Sequence, residues 1–178
     1  MEIIVDLEAT CWKNPKEKRN EIIEIGAVSS NGTEFQRFIK PIENPILSDF
    51  CKELTHITQE DIDNAKTFNE VMSEFILWAG NCPKIYSWGN YDKTQFIKDC
   101  NLWNIDWEFR HLNLKVEFSK IYKIKRRGVK GALRYLDWKF EGTHHRGIDD
   151  ARNIYRIYEH IKKDIGTHPE LVRVENYE

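Results

Sequence analysis

The chain has 178 residues, enough for one domain with a sizeable core, and its 40% hydrophobic and 31% charged residues are ordinary for a soluble globular protein. A formal net charge of -2 excludes binding of polyanions by bulk charge, and no run of apolar residues reaches the roughly 18 needed for a membrane helix. Cys11, Cys51, Cys82 and Cys100 are far apart without Cys-x-x-Cys spacing, which argues against a zinc site. With no basic segment and apolar leader at the start, this leads us to expect a cytoplasmic protein.

The expected elements run as follows. Ile3, Ile4 and Val5 open a short apolar strand of the kind covered on both faces, with Asp6 and Glu8 set into its end. Residues 13–20 read as a polar loop, residues 21–30 as a second strand and residues 33–40 as a third, with Asn31-Gly32 between them as a hairpin turn. Pro41 and Pro45 end this meander. Leu54 to Ile57 reads as a loop running into a short helix over residues 58–63 capped by Thr58. Thr67 and Glu70 form a capping box before a helix to about Gly80. A strand over residues 84–88, a helix over 91–102 and a fifth strand near 109–112 follow. Helices near 114–122, 129–136 and 148–163 come next, and Gly166 and Pro169 lead into an expected loosely held tail over 166–178. Without repeats or a linker, the chain reads as one domain with a core of about residues 1–165 and an α/β mixed sheet.

Asp6 and Glu8 carry the first chemical signal. Two residues apart on a strand, they share a face with Cα atoms about 6.6 Å apart. Burying two like charges is costly unless a divalent cation compensates them. On an edge strand the same pair would simply face water. Asp92 follows a strand at the mouth of a helix, either facing the core with Phe96 or favouring the helix dipole. In the last helix, phase separates two acids. Asp150 leads into Ile154, Ile157 and Ile161, whereas Asp149 leads into Arg152, Asn153 and Arg156, so only Asp150 points coreward. His145 precedes it, with an unperturbed pKa suited to accepting a proton from water.

Asp6-x-Glu8, Asp92 in Trp-Gly-x-Tyr-Asp, and His145 five residues before Asp150 resemble the three motifs of the DEDDh 3'-5' exonucleases, on a ribonuclease H-like fold. The wording from Asp6 to Cys11, the loop from Leu54 to Thr58, and the run from Gly147 to Ile154 are similar to the histone-mRNA 3' exonuclease and enhancer-of-RNAi group and its bacterial relatives. The resemblance spans about residues 1–165. It implies a ribonuclease H-like mixed five-stranded sheet flanked by helices. It implies that Asp6, Glu8, Asp92 and Asp150 hold two Mg2+ or Mn2+ ions and that His145 activates the attacking water. Glu8 and Ala9 match positions that contact the 3'-terminal nucleotide, Thr10 lies beside them, and Leu54, Thr55 and Ile57 match the loop that wedges against the terminal base. His56 stands where the eukaryotic relatives usually carry Gly.

Trp12, Trp88 and Tyr91 lie near the motifs as candidate base-stacking faces, worth about 1 to 3 kcal/mol each where they stack. Between Phe118 and Leu136 every charged residue before Asp137 is basic, a solvated face or a dock for a phosphate backbone. The expected partner is a single-stranded nucleic acid 3' end, RNA in preference to DNA, with no membrane. The alternatives are the same hydrolysis on single-stranded DNA, or a nucleic-acid-binding regulator with little turnover.

Overall fold

The computed structural model describes residues 1–14 and 19–176, so residues 15–18 of the expected polar loop and the last two of the expected tail lie outside the described residues. β1 (Glu2–Ala9) is central as expected, with Ile3, Ile4 and Val5 fully buried. It pairs antiparallel with β2 (Ile22–Ser29), which pairs antiparallel with β3 (Glu34–Lys40). The turn joining β2 and β3 uses Asn31 and Gly32 as read: Gly32 takes φ +83°, and the Asn31 side chain accepts the Thr33 N–H at 3.0 Å.

A helix that the sequence pattern does not announce follows. α1 (Asp49–Thr55) starts at Ser48, whose hydroxyl accepts the Cys51 N–H at 3.0 Å, and ends at His56 in the left-handed region, φ 58°. Leu54 and Thr55 therefore sit on a helical turn, not in a loop. α2 (Gln59–Asp63) carries the expected Thr58 cap, and β4 (Lys66–Thr67) leads into α3 (Phe68–Ala79), where Glu70 accepts the Thr67 N–H at 2.8 Å. Then come β5 (Lys84–Ser87), α4 (Tyr91–Leu102), β6 (Trp107–Asn113), α5 (Leu114–Tyr122), α6 (Val129–Tyr135), α7 (Gly147–Ile161) and β7 (Glu170–Val174).

The sheet order is β4-β3-β2-β1-β5-β6-β7, with β1, β5 and β6 parallel. The five expected strands form its centre, and β4 and β7 extend it to seven. The tail is thus corrected: β7 pairs antiparallel with β6, and Val174 is buried against the cluster holding Trp107 and Phe109.

Alternation splits the core in two. Ile3, Val5, Leu7, Ile25 and Ala27 face α3 and α4 through Met72, Phe75 and Phe96. Ile4 and Tyr86 lie on the opposite side with Phe118, Leu133, Ile154 and Ile157 of α5 to α7. Asp6, Glu8, Glu24 and Gly26 share the α7 side by the same alternation. Gly26 lets α7 press onto the sheet: a Cβ there would collide with the Gly147 carbonyl carbon.

Candidate active site

The site lies where two central strands part. β1 pairs with β5 only from Glu2 to Ile4, so the Leu7 N–H has no partner on β5. Asp92, in the first turn of α4, fills that gap: its Oδ1 accepts the Leu7 N–H at 3.0 Å, fixing the acid beside Asp6 and Glu8. Asp92 is buried, so its coreward orientation is the observed one.

The third acid comes from α7. Asp150 is 3% exposed, and its Oδ2 accepts the His145 N–H at 2.6 Å while the His144 Nδ1 lies 3.0 Å from its Oδ1. Carboxylate oxygens of Asp6, Glu8 and Asp150 all lie within 4.8 Å of one another. Asp149 turns away, accepting the Thr143 N–H at 2.8 Å and pairing with Arg152 at 2.9 Å. The helical phase read from the sequence holds.

Such crowding raises the acids. Glu8 is pushed up to about 9, by burial first and then by the charges of Asp150, Glu24 and Asp92. Burial lifts Asp92 to about 6 against the hydrogen bond from Leu7. Burial and the neighbouring carboxylates hold Asp6 well above the usual range, and burial raises Asp150 as well. A cluster of oxygen ligands that resists ionisation this strongly fits divalent cations, which replace protons as the compensating charge. His145 moves the other way: burial, then His144, lower its pKa and keep its imidazole neutral.

Around these groups is a cavity of about 470 Å3, lined by Asp6, Glu8, Ala9, Leu54, Trp88, Asp92, His145 and Asp150 among the residues singled out from the sequence. Thr10, Thr55 and Ile57, expected at the nucleotide, are not among the residues that line it. All three are buried: the Thr10 hydroxyl accepts the Glu21 N–H at 3.0 Å, the Thr55 hydroxyl donates to the Cys51 carbonyl at 2.8 Å, and Ile57 packs with Ile23, Leu47 and Ile62. They brace the walls. Trp88 is 7% exposed, donates its indole N–H to the Arg127 carbonyl at 2.9 Å and packs near Phe118, so most of its ring is core. Tyr91, 52% exposed on the same wall, offers the freer aromatic face.

Cys11, Gly128, Val129, Lys130 and His144 also line the cavity and were not expected there. Lys130 belongs to the basic run, whose charge was the one signal for it. His144 was hidden by backbone geometry: His145 has φ 63°, which folds the two imidazoles into a stack with centroids 3.9 Å apart.

Solved structures similar to this one include nucleases. The nuclease domain of 3'hExo, a DEDDh family member, bound to rAMP, superposes with a TM-score of 0.80 at 30% identity, covering 98% of this chain and 96% of that one. A 3'-exonuclease in a structure of histone mRNA stem-loop recognition gives 0.83 at 28% identity, covering 97% of this chain and 70% of that one. The chain belongs to the Exonuclease (RNase_T) family, which matches it over residues 3–158, and within it to the DEDDh superfamily of 3'-5' exonucleases, a type that uses divalent metal ions. Human 3'-5' exoribonuclease 1 is 33% identical over 181 residues, which is 90% of this chain and 52% of that protein. ERI1 exoribonuclease 2 of Xenopus laevis is 31% identical over 192 residues, covering 87% of this chain. The chain spans 27% to 35% of the length of the first curated relatives it matches.

Proposed function

We propose that the protein is a 3'-5' exoribonuclease that hydrolyses single-stranded RNA ends and releases nucleoside 5'-monophosphates. The observation that carries this reading is the convergence of Asp6, Glu8 and Asp150 within 4.8 Å at the floor of a cavity also lined by Asp92 and His145. Asp6, Glu8, Asp92 and Asp150 would hold two Mg2+ or Mn2+ ions. Bound there, two such ions supply stabilisation of charge on the attacking and leaving oxygens of an in-line displacement.

The chain's own residues do the rest. Neutral His145 accepts a proton from the attacking water, whose oxygen bonds to the terminal phosphorus. The P–O3' bond breaks, and the shortened chain leaves with its 3' oxygen, which takes up a proton from solvent. Tyr91 and the edge of Trp88 offer faces to the terminal base, and Leu54 and Ala9 also line the cavity. Preference for RNA is supported by the relatives: rAMP in one similar structure and a histone mRNA stem-loop in another.

The test is hydrolysis of 5'-labelled RNA and DNA oligomers of one sequence with Mg2+ or Mn2+. Shortening of the RNA by single nucleotides from the 3' end, faster than of the DNA, is expected. Equal or faster loss of DNA would overturn the RNA assignment, and binding without shortening would leave a regulator.

A further inference from the structure

The carboxylate of Glu24 is fully buried on β2, paired across the strands with Glu8, yet it is not one of the converging acids. A charge placed so deep beside other acids is costly unless its lone pairs are met by donors. They are. Its Oε2 accepts the Gly147 N–H at 3.0 Å and the Arg146 Nε–H at 3.4 Å, and its Oε1 accepts a Gln36 amide hydrogen at 3.0 Å. Arg146 is held in turn over the Phe38 ring, 5.1 Å from its centroid.

Gly147 is the first residue of α7, and the residue before the helix, Arg146, provides no side-chain cap. A helix start leaves four N–H groups without partners inside the helix. One of the four is satisfied here by a glutamate 123 residues earlier in the chain. The bond fixes the helix end that carries Asp150 three residues on and follows His145 by two. Gly26, two residues along β2, permits the close approach that the bond requires.

We propose that Glu24 is a positioning residue for the reaction: by gripping the Gly147 N–H from beneath, it sets the first turn of α7 so that Asp150 meets Asp6 and Glu8. The proposal rests on the exonuclease reading, but acts through the metal-binding geometry.

Two substitutions separate reach from charge. Glu24→Gln loses the charge and keeps an oxygen at the right distance for Gly147. Glu24→Asp keeps the charge and withdraws the carboxylate by one methylene. Each variant is read by Mn2+ affinity in the substrate-free protein, by amide hydrogen exchange at residues 147–150, and by kcat and KM on labelled RNA. Loss of a support behind a metal ligand typically weakens metal binding by about 10- to 100-fold. Glu24→Asp is expected to fall in that range, with faster exchange at residues 147–150, reduced kcat and little change in KM. Glu24→Gln is expected to keep most of the affinity and the slow exchange. The reverse order, or equal behaviour of the two variants, would overturn the proposal. Because Mn2+ binding and exchange need no substrate, a wild-type protein that hydrolyses nothing would sink the exonuclease reading and leave this test standing.

Discussion

Asp149 and Asp150 are adjacent and chemically alike, and their surroundings set them apart. Asp150→Asn removes one of three converging carboxylates, so divalent-ion binding and hydrolysis are both expected to be lost. Asp149→Asn weakens only the ties to Thr143 and Arg152, so ion binding should persist with a small fall in melting temperature. Equal loss from the two changes would refute this division. His145→Ala should leave ion affinity intact and slow the chemical step by about 10²- to 10⁴-fold, a defect that shrinks as pH rises and hydroxide becomes available. The acids also predict a pH response of the ion-free protein. Glu8, at about 9, and Asp92, at about 6, have folded pKa values above their unfolded ones, so the folded state holds these protons more tightly. Their contribution to stability is full at low pH and is lost as pH rises from the ordinary carboxylate range through those values. Melting temperature in a chelator should therefore fall from the ordinary carboxylate range up to about pH 9, the Asp92 share by about pH 6 and the Glu8 share by about pH 9, and Mg2+ should restore more of it at the upper end while releasing protons on binding. Melts that do not vary with pH, with no buffer-dependent heat of binding, would contradict the account.

The elements that escaped the sequence pattern are those whose local signal is short or indirect. The central strands declared themselves by β-branched runs and the Asn31-Gly32 turn, and α3 by its capping box. β4 has two residues and no pattern to read. α1 begins at a plain Ser48 cap, and its seven residues bury only Cys51 and Thr55. β7 lies beyond Gly166 and Pro169, past the end of α7, which stops at Ile161 before either of them, and its apolar residues mean little until β6 lies alongside. Asp6, Glu8 and Asp150 were legible because strand alternation and helical phase place side chains on faces, whereas Asp92 and His145 were legible through the motifs they complete. Glu24 was not, since its partner lies across the fold. For β7 the structure predicts that a chain ending at Ile165 loses the burial of Val174 and the strand pairing over Trp107. At about 2 to 3 kcal/mol for one buried valine and its neighbours, the loss corresponds to a melting temperature lower by roughly 5 to 10 °C. No residue of β7 lines the catalytic cavity, so turnover below the melting range should be kept. A truncated chain of unchanged stability would return the tail to a loose attachment.

At the scale of the whole molecule, a net charge of -2 hides a local excess of positive charge, and the structure sorts that excess by role. Lys120 pairs with Glu117 at 2.8 Å. Arg127 lies over the Tyr135 ring, 5.1 Å from its centroid, and its carbonyl holds the Trp88 indole, so it supports α6 and the cavity wall. Lys125 and Arg126 are exposed just before that wall, and Lys130 is exposed at the cavity itself beside Gly128 and Val129. A strand whose 3' end sits among the carboxylates would leave past Lys130 and meet Lys125 and Arg126 with its next phosphates. For single strands, the slope of log affinity against log salt falls by about 0.7 for each phosphate that is no longer neutralised, so replacing all three by alanine should flatten it by about 2. Long oligomers should weaken far more than dinucleotides, which end before the outer two. Arg127→Ala should lower the melting temperature and leave the slope nearly unchanged. If the triple variant keeps the wild-type slope, the RNA takes another path out of the site, and the basic run is only a solvated face.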